Sequence, residues 1–419
     1  MRVFKIISIL FLLSLKPAIA GFIIIPMDET QRNHLKAYGL TYWAIDNNIE
    51  SWWLLNYKGG AFLLKENENV ITECSVRGVS FSELNDSEAE SLIKTIKSPS
   101  QNMDALELQK APKIAVYSPK NNMPWDDAVT MALTYAEIPY DIIYDEEVLS
   151  DVLAIYDWLH LHHEDFTGQY GKFYSAYKNA PWYVNRKSES EQRAHKLGFD
   201  KVSIEKLAVA KKIREFVIGG GFMFAMCSAT ETFDIALSAE GQDICEPMFD
   251  GDDSSPGYQN KIDFEKGFAF ENYSLITNPR EYEFSSIDTS NKRKISKEQD
   301  YFMLFEFSAK WDPVPTILTQ NHEKVIKGFM GQTTAFDKEY IKSNVLVMGE
   351  NRSINEARYI HGNLGKGMWT YYGGHDPEDY QHKIGDPKTE LKNHPNSPGY
   401  RLILNNILFP SVKKKPQKT

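Results

Sequence analysis

Cys227 is the residue around which chemistry can first be read. It ends the apolar, strand-like run Phe222-Met223-Phe224-Ala225-Met226 and stands directly before Ser228-Ala229-Thr230-Glu231, where a helix resumes. A side chain perched where a strand turns into a helix projects from the carboxyl edge of a sheet, and the helix N-terminus there stabilises a thiolate or an oxyanion. Cys227 is therefore a candidate nucleophile. The competing reading is a buried structural cysteine, because Cys is among the most buried residue types. His375 follows a second strand-like run, Trp369 to Tyr372, and the pair Gly373-Gly374. It is the candidate general base for Cys227, with Asp376 or Glu378 orienting the imidazole. Taken alone it reads as a turn histidine with local Asp capping. His361 and His394 are weaker substitutes that surface loops explain.

A second group lies in Asp157-Trp158-Leu159-His160-Leu161-His162-His163-Glu164-Asp165. In an extended chain the two-residue period puts His160, His162 and Glu164 on one face, and two imidazoles with a carboxylate are what a zinc-like ion needs. The spacing matches no specific metal motif, and a hydrogen-bonded polar cluster accounts for it equally. The loop Phe166-Thr167-Gly168-Gln169-Tyr170-Gly171 falls where an α/β sheet places its ligand crevice, so backbone N–H groups near Gly168 and Gly171 are expected to face an oxyanion. Gly220 and Gly221, in the turn before the Cys227 strand, are the other glycines expected to face substrate. Asp250 to Gly257 could hold calcium, but the closing Glu of an EF-hand is missing, and a solvated turn is the simpler account.

These side chains need a sheet whose strand ends converge. From Pro112 onward strands and helices alternate: Lys113–Tyr117, then a helix over Trp125–Ala136, Tyr140–Tyr144, a helix over Ile204–Phe216, the Cys227 strand and a helix over Ala229–Ala239. That alternation predicts an α/β domain over 112–410 with a doubly wound, mostly parallel sheet. Later strands are expected at Pro315–Thr319, Asn344–Gly349 and Gly367–Tyr372, and a closing helix at Tyr400–Phe409. Residues 21–97 read as a small α+β module. It has a helix from Asn33 to Tyr38, alternating runs at Leu40–Ile45 and Ser51–Tyr57, and a hairpin turn at Lys58-Gly59-Gly60. Residues 98–111 read as a linker and 411–419 as a basic tail. Trp52 and Trp53 suit core packing or a binding face.

The chain opens with Arg2 and Lys5, an apolar stretch Ile6–Leu15 and Ala18-Ile19-Ala20 before Gly21, a secretory signal peptide over 1–20. Export to the periplasm or outside the cell is expected. The apolar stretch is too short to span a bilayer, and no membrane anchor is expected. The 419 residues carry 47 basic against 57 acidic side chains, net −10, and losing Arg2, Lys5 and Lys16 with the leader makes this −13. Such a balance excludes a nucleic-acid partner of the usual basic-faced kind. Three cysteines, Cys74, Cys227 and Cys245, are too few for a disulfide scaffold, although Cys227 and Cys245 could pair. The expected partner is a small-molecule or peptide substrate. No cofactor is expected, with a divalent metal as the alternative.

The motif Phe216-Val217-x-x-Gly220-Gly221-Phe222, a strand ending at Cys227, and Gly373-Gly374-His375-x-x-Glu378 together resemble the class I glutamine amidotransferase-like superfamily, including its trehalose-utilisation-protein-like branch, over about Lys113 to Pro410. The resemblance implies that Cys227 attacks an amide and that His375 and Glu378 complete a triad. The trehalose-utilisation-like branch implies a sugar-binding role instead. Ala225 and Ala229 stand where the superfamily's elbow carries glycines. With its Ile25-Pro26-Met27-Asp28-Glu29-Thr30-Gln31 start, the chain is also similar to exported bacterial proteins often labelled asparagine synthetase B. It has neither the N-terminal cysteine nor the Ser-Gly-Gly-x-Asp-Ser loop of ATP-dependent synthesis. Three functions are therefore expected in order: an exported cysteine-dependent amidase or amidotransferase-like hydrolase, a noncatalytic sugar- or peptide-binding protein, and a metal-dependent hydrolase on His160, His162 and Glu164.

Overall fold

Short apolar runs bounded by turn residues pair into two sheets in the computed structural model, which describes residues 21–120, 126–381, 383 and 386–413. The expected leader over 1–20 and the expected basic tail from 414 onward lie outside the described residues. Strands β1 (Gly21–Ile25), β2 (Ser51–Leu55), β3 (Ala61–Lys65), β4 (Ser82–Asn85) and β5 (Asp104–Leu108) form an antiparallel sheet in the order β4-β1-β3-β2-β5. The β2–β3 hairpin turns through Lys58, Gly59 and Gly60, all at positive φ, as the glycine pair suggested. Helices α1 (His34–Asp46), α2 (Glu68–Arg77) and α3 (Asp86–Ile96) complete this part. The stretch expected as a linker contains β5, and Leu108 bridges Val412 near the other end of the chain.

Leu40–Ile45 is the second half of α1 and not an extended run. Its residues are apolar on nearly every side because α1 is covered on both faces, which erases the amphipathic period that marks a surface helix. Gly39 lets α1 cross α4 (Ala128–Ala136) closely, since a Cβ there would fall 1.7 Å from the Ala136 carbonyl oxygen.

The second sheet has ten strands, β6 (Ile114–Tyr117), β7 (Asp141–Ile143), β8 (Trp158–Leu161), β9 (Phe222–Met226), β10 (Tyr301–Leu304), β11 (Val325–Lys327), β12 (Phe336–Asp337), β13 (Leu346–Asn351), β14 (Glu356–Leu364) and β15 (Gly367–Tyr372). Their order is β11-β10-β13-β14-β15-β9-β8-β6-β7, with β12 on β14. Among the described residues only β7, β6, β8, β9 and β15 run parallel. The mostly parallel sheet expected from sequence is thus mixed: β14 and β15 are joined by a tight turn at Gly365, too short for a crossover, and antiparallel pairing continues outward to β11.

The remaining helices are α5 (Asp145–Leu149), α6 (Tyr174–Tyr177), α7 (Pro181–Lys196), α8 (Val202–Gly219), α9 (Ser228–Ser238), α10 (Pro247–Asp250), α11 (Pro313–Leu318) and α12 (Pro398–Leu408). Pro315–Thr319, expected as a strand, falls in α11, which Pro313 starts from a first-turn position that needs no N–H donor. Helices α1, α4 and α12 pack together between the two sheets. On β9, Phe222, Phe224 and Met226 point into that layer while Met223 and Ala225 point to α8 and α9 on the opposite face. Both faces of the parallel half are therefore covered, as a doubly wound arrangement requires.

Candidate active site at the Cys227 elbow

The register of three neighbouring strands builds the site. Leu161 pairs with Ala225 and Tyr372 with Met226, so β8, β9 and β15 end side by side at one carboxyl edge. The residues that follow those ends are His162 and His163, Cys227, and Gly373-Gly374-His375. Strand β6 lies next to β8 and leads toward Asp126 and Asp127, which precede α4.

Cys227 adopts φ 52°, ψ −140° at the start of α9, a conformation that L side chains rarely enter. Its own N–H donates to the Gly374 carbonyl at 3.2 Å, and the Ala229 N–H donates to the His162 carbonyl at 3.0 Å. The elbow is therefore tied to both flanking strand ends. Cys227 is only 4% exposed, and all three cysteines are free thiols, which removes the Cys227–Cys245 bridge. Cys245 instead donates to the Thr167 carbonyl at 3.3 Å.

Burial alone would raise the Cys227 thiol pKa, but hydrogen bonds from His162 and His375 and their positive charge hold it well below the ordinary thiol range. The Gln332 N–H also donates to the sulfur, at 3.3 Å. Burial works against a charged His375, yet Asp126 and the Cys227 sulfur outweigh it and push the imidazole up to about 10. His375 Nε2 lies 3.3 Å from Asp126 Oδ2. His162 is likewise raised against burial by Asp127, whose Oδ2 is 2.9 Å from His162 Nδ1. Asp127 also caps α4 by accepting from the Thr130 N–H at 2.7 Å. His163, stacked on His162, is held well below the usual imidazole range by burial and by the charges of His162 and His375.

Cys227 and His375, distant in the chain, are thus brought together. The carboxylate beside His375 is Asp126, not the expected Asp376 or Glu378. Asp376 accepts from the Tyr400 hydroxyl at 2.8 Å, and Glu378 pairs with His394 at 2.9 Å, because the chain after His375 turns back toward α12. The set His160, His162 and Glu164 does not assemble. His160 Nε2 and His162 Nδ1 share Asp127 Oδ2, while Glu164 accepts from the Tyr144 hydroxyl at 2.9 Å and faces Lys206 at 3.5 Å. His361, expected on a surface loop, is buried on β14 against Thr370.

The glycines expected to face substrate serve packing. The Gly171 N–H donates to Asp165 Oδ2 at 2.8 Å, and its carbonyl accepts from the Gln332 side chain at 2.6 Å. A Cβ on Gly168 would meet Ser203 at 2.9 Å. Gly220 ends α8 at φ 123°, and Gly221 packs under the Phe216 ring. Both sit at the opposite end of β9 from Cys227, about 20 Å away by strand rise. Asp243, Asp250 and Asp252 close on Lys201, so a protein cation stands against the acidic loop that could hold calcium.

Several contributors escaped the sequence reading. Asp126 and Asp127 look like helix-capping residues, and Gln332 lies in an irregular segment. The Phe329 and Thr334 carbonyls accept from buried Arg358 at 2.6 and 2.9 Å, and Arg358 pairs with Asp300 at 2.9 Å. Glu231, one helical turn after Cys227, accepts from Ser285 at 2.6 Å and Thr333 at 3.1 Å; burial pushes it up to about 7 despite those bonds.

No family model matches the chain, and no curated protein matches it. Among solved structures it is similar to two cytoplasmic proteins from Salmonella typhimurium, at 10% and 12% identity, each over 72% of this chain and 100% of the other, with TM-scores of 0.35 and 0.36. It is also similar to a β-galactosidase from Bacillus circulans at 13% identity, over 80% of this chain and 36% of that one, with a TM-score of 0.27. Likeness of this depth says nothing of activity. Fold and site together define an α/β protein with a thiol, two imidazoles and two carboxylates at one strand edge.

Proposed function

We propose that the chain is a cysteine-dependent hydrolase or acyl transferase of amides or esters, on a scaffold akin to the class I glutamine amidotransferases. Cys227 is the nucleophile, His375 the acid and base, and Asp126 the group that orients His375. The observation that carries this reading is the Cys227 sulfur, set on a strained elbow with two carboxylate-backed imidazoles against it. In the reaction the thiolate adds to the carbonyl carbon, and the oxyanion is received by the Ser228 N–H at the start of α9, since the Ala229 and Thr230 N–H groups already donate to the His162 and Cys227 carbonyls. His375 gives its proton to the leaving amine or alcohol as the thioester forms. It then takes a proton from the water that releases the acid and returns the thiolate. His162, backed by Asp127, keeps the resting sulfur charged. The leader pattern over 1–20 supports an exported enzyme, which needs no ATP.

The test is alkylation by iodoacetamide followed by mass spectrometry, together with hydrolysis of p-nitrophenyl acetate and of glutamine. Cys227 should be modified at pH 6 well before Cys74 or Cys245, whose thiols burial raises, that of Cys74 to about 12. Cys227→Ser and His375→Ala should each lose at least about 100-fold in hydrolysis. Equal sluggishness of the three thiols, or full activity in Cys227→Ser, would overturn the reading.

A further inference from the structure

Among the described residues, three groups of side chains bring metal-ligating atoms within 4.8 Å of one another: Asp127, His160 and His162; Asp243, Cys245 and Asp250; and His162, His163 and His375. The first is closed on itself by hydrogen bonds, and two carboxylates of the second lie on the Lys201 ammonium. The third is different in kind. Its three imidazoles face one another with ring centres 4.0 to 4.7 Å apart, and the Cys227 sulfur lies against two of them. His163 Nδ1 is buried with no hydrogen-bond partner among the described residues, a lone pair or N–H that solvation would otherwise satisfy.

We propose that Cys227, His162, His163 and His375 form a binding site for a zinc-class divalent cation, and that filling it silences the nucleophile. One thiolate and three imidazoles are a donor set suited to zinc, whose bonds of about 2.0–2.3 Å place tetrahedral ligand atoms roughly 3.3–3.7 Å apart. The three imidazole ligand atoms already lie within 4.8 Å of one another, and closing the site requires rotation of the Cys227 side chain to bring the sulfur to the same spacing. The outer groups needed to orient such ligands are already in place: Asp127 on His162 Nδ1 at 2.9 Å, and Asp126 at 3.3 Å from His375 and 3.9 Å from His163. All four positions come from the protein, so no water is held for hydrolysis. The ion binds as the ligands give up their protons and ties up the sulfur lone pair. This inhibitory role rests on the proposed cysteine chemistry, whereas the site itself does not.

The experiment uses the full chain stripped with EDTA, titrated calorimetrically with zinc chloride and, as control, magnesium chloride. One zinc per chain should bind tighter than about 1 μM, with magnesium silent. Cobalt should give a thiolate-to-metal charge-transfer band that Cys227→Ser lacks. His163→Ala should keep metal-free p-nitrophenyl acetate hydrolysis but weaken zinc binding roughly 100-fold or more and lose zinc inhibition. Absence of zinc uptake by the wild type, or undiminished affinity in both variants, overturns the site. If zinc and the cobalt band appear but the wild type never hydrolyses substrate, the hydrolase reading falls and the metal site stands.

Discussion

The chemistry turns on which carboxylate stands behind His375. Sequence alone made Cys227 and His375 visible, because each follows a strand-like run and a break, patterns that neighbouring residues determine. It could not select Asp126 over Glu378, because that choice depends on β6 lying beside β8 and on the chain after His375 folding toward Tyr400 and His394. Asp126 therefore carries a sharp expectation. His375 is raised to about 10, above its unfolded value, so its protonated form is favoured in the fold below about pH 6.5 and that contribution fades as pH rises through about 10. Asp126→Asn should lower that value and release the thiolate's partner, so Cys227 alkylation at pH 6 should slow about tenfold or more relative to wild type. Mass spectrometry of timed iodoacetamide reactions reads this directly. Unchanged rates would mean that His162 and Asp127 alone sustain the thiolate, and Asp126 would lose its assigned role.

At the scale of elements the elbow is the informative feature. The strand and helix around Cys227 are legible from the apolar run and the small polar residues after it, whereas the second half of α1 is not, because its burial on both sides removes amphipathic periodicity. The segment that delivers the Gln332 N–H has no period at all: it is held by Arg358 on one strand and by Gly331 packing against Gly374, where a Cβ would come within 2.8 Å of backbone. Contacts between remote segments leave no local pattern to read. Backbone strain at Cys227 can be isolated from its chemistry by comparing two sulfur-free variants. Cys227→Gly relieves the positive φ while Cys227→Ala keeps it, so the glycine variant should be more stable by about 1 kcal/mol, although glycine in an unstrained position would be the less stable choice. Urea denaturation of the two proteins settles the sign, and a more stable alanine variant would show that the surrounding bonds hold the elbow without strain.

For the whole molecule, the decisive fact is that one helix layer serves two sheets. The pattern along the chain predicts a module, a linker and a second domain. The link between the sheets is made by buried groups no motif announces. Arg401 on α12 donates to the Met27 carbonyl at 2.7 Å and reaches His322, which stacks on His34 at 4.1 Å. His34, at the start of α1, faces the Met27 carbonyl and Asn396 at 3.0 Å each. Burial, and then the Arg401 charge, lowers His34 to about 4, and burial with the charges of His34 and Arg401 lowers His322 to about 3. A folded value below the unfolded one means that the stabilising contribution is fully present above about pH 6.5 and is lost as pH falls toward 4, roughly 3 kcal/mol for His34. Because the junction joins both sheets, acid should weaken them together. Tryptophan fluorescence, to which buried Trp53 in the first sheet and Trp158 and Trp369 in the second contribute, and far-ultraviolet circular dichroism should report one coincident urea transition whose midpoint falls between pH 7 and 4.5. His34→Asn should flatten that decline by about one proton in the linkage slope while the two probes continue to coincide. An unaltered slope would assign the acid sensitivity to other histidines, and separate transitions would show that the sheets unfold independently despite the helices between them.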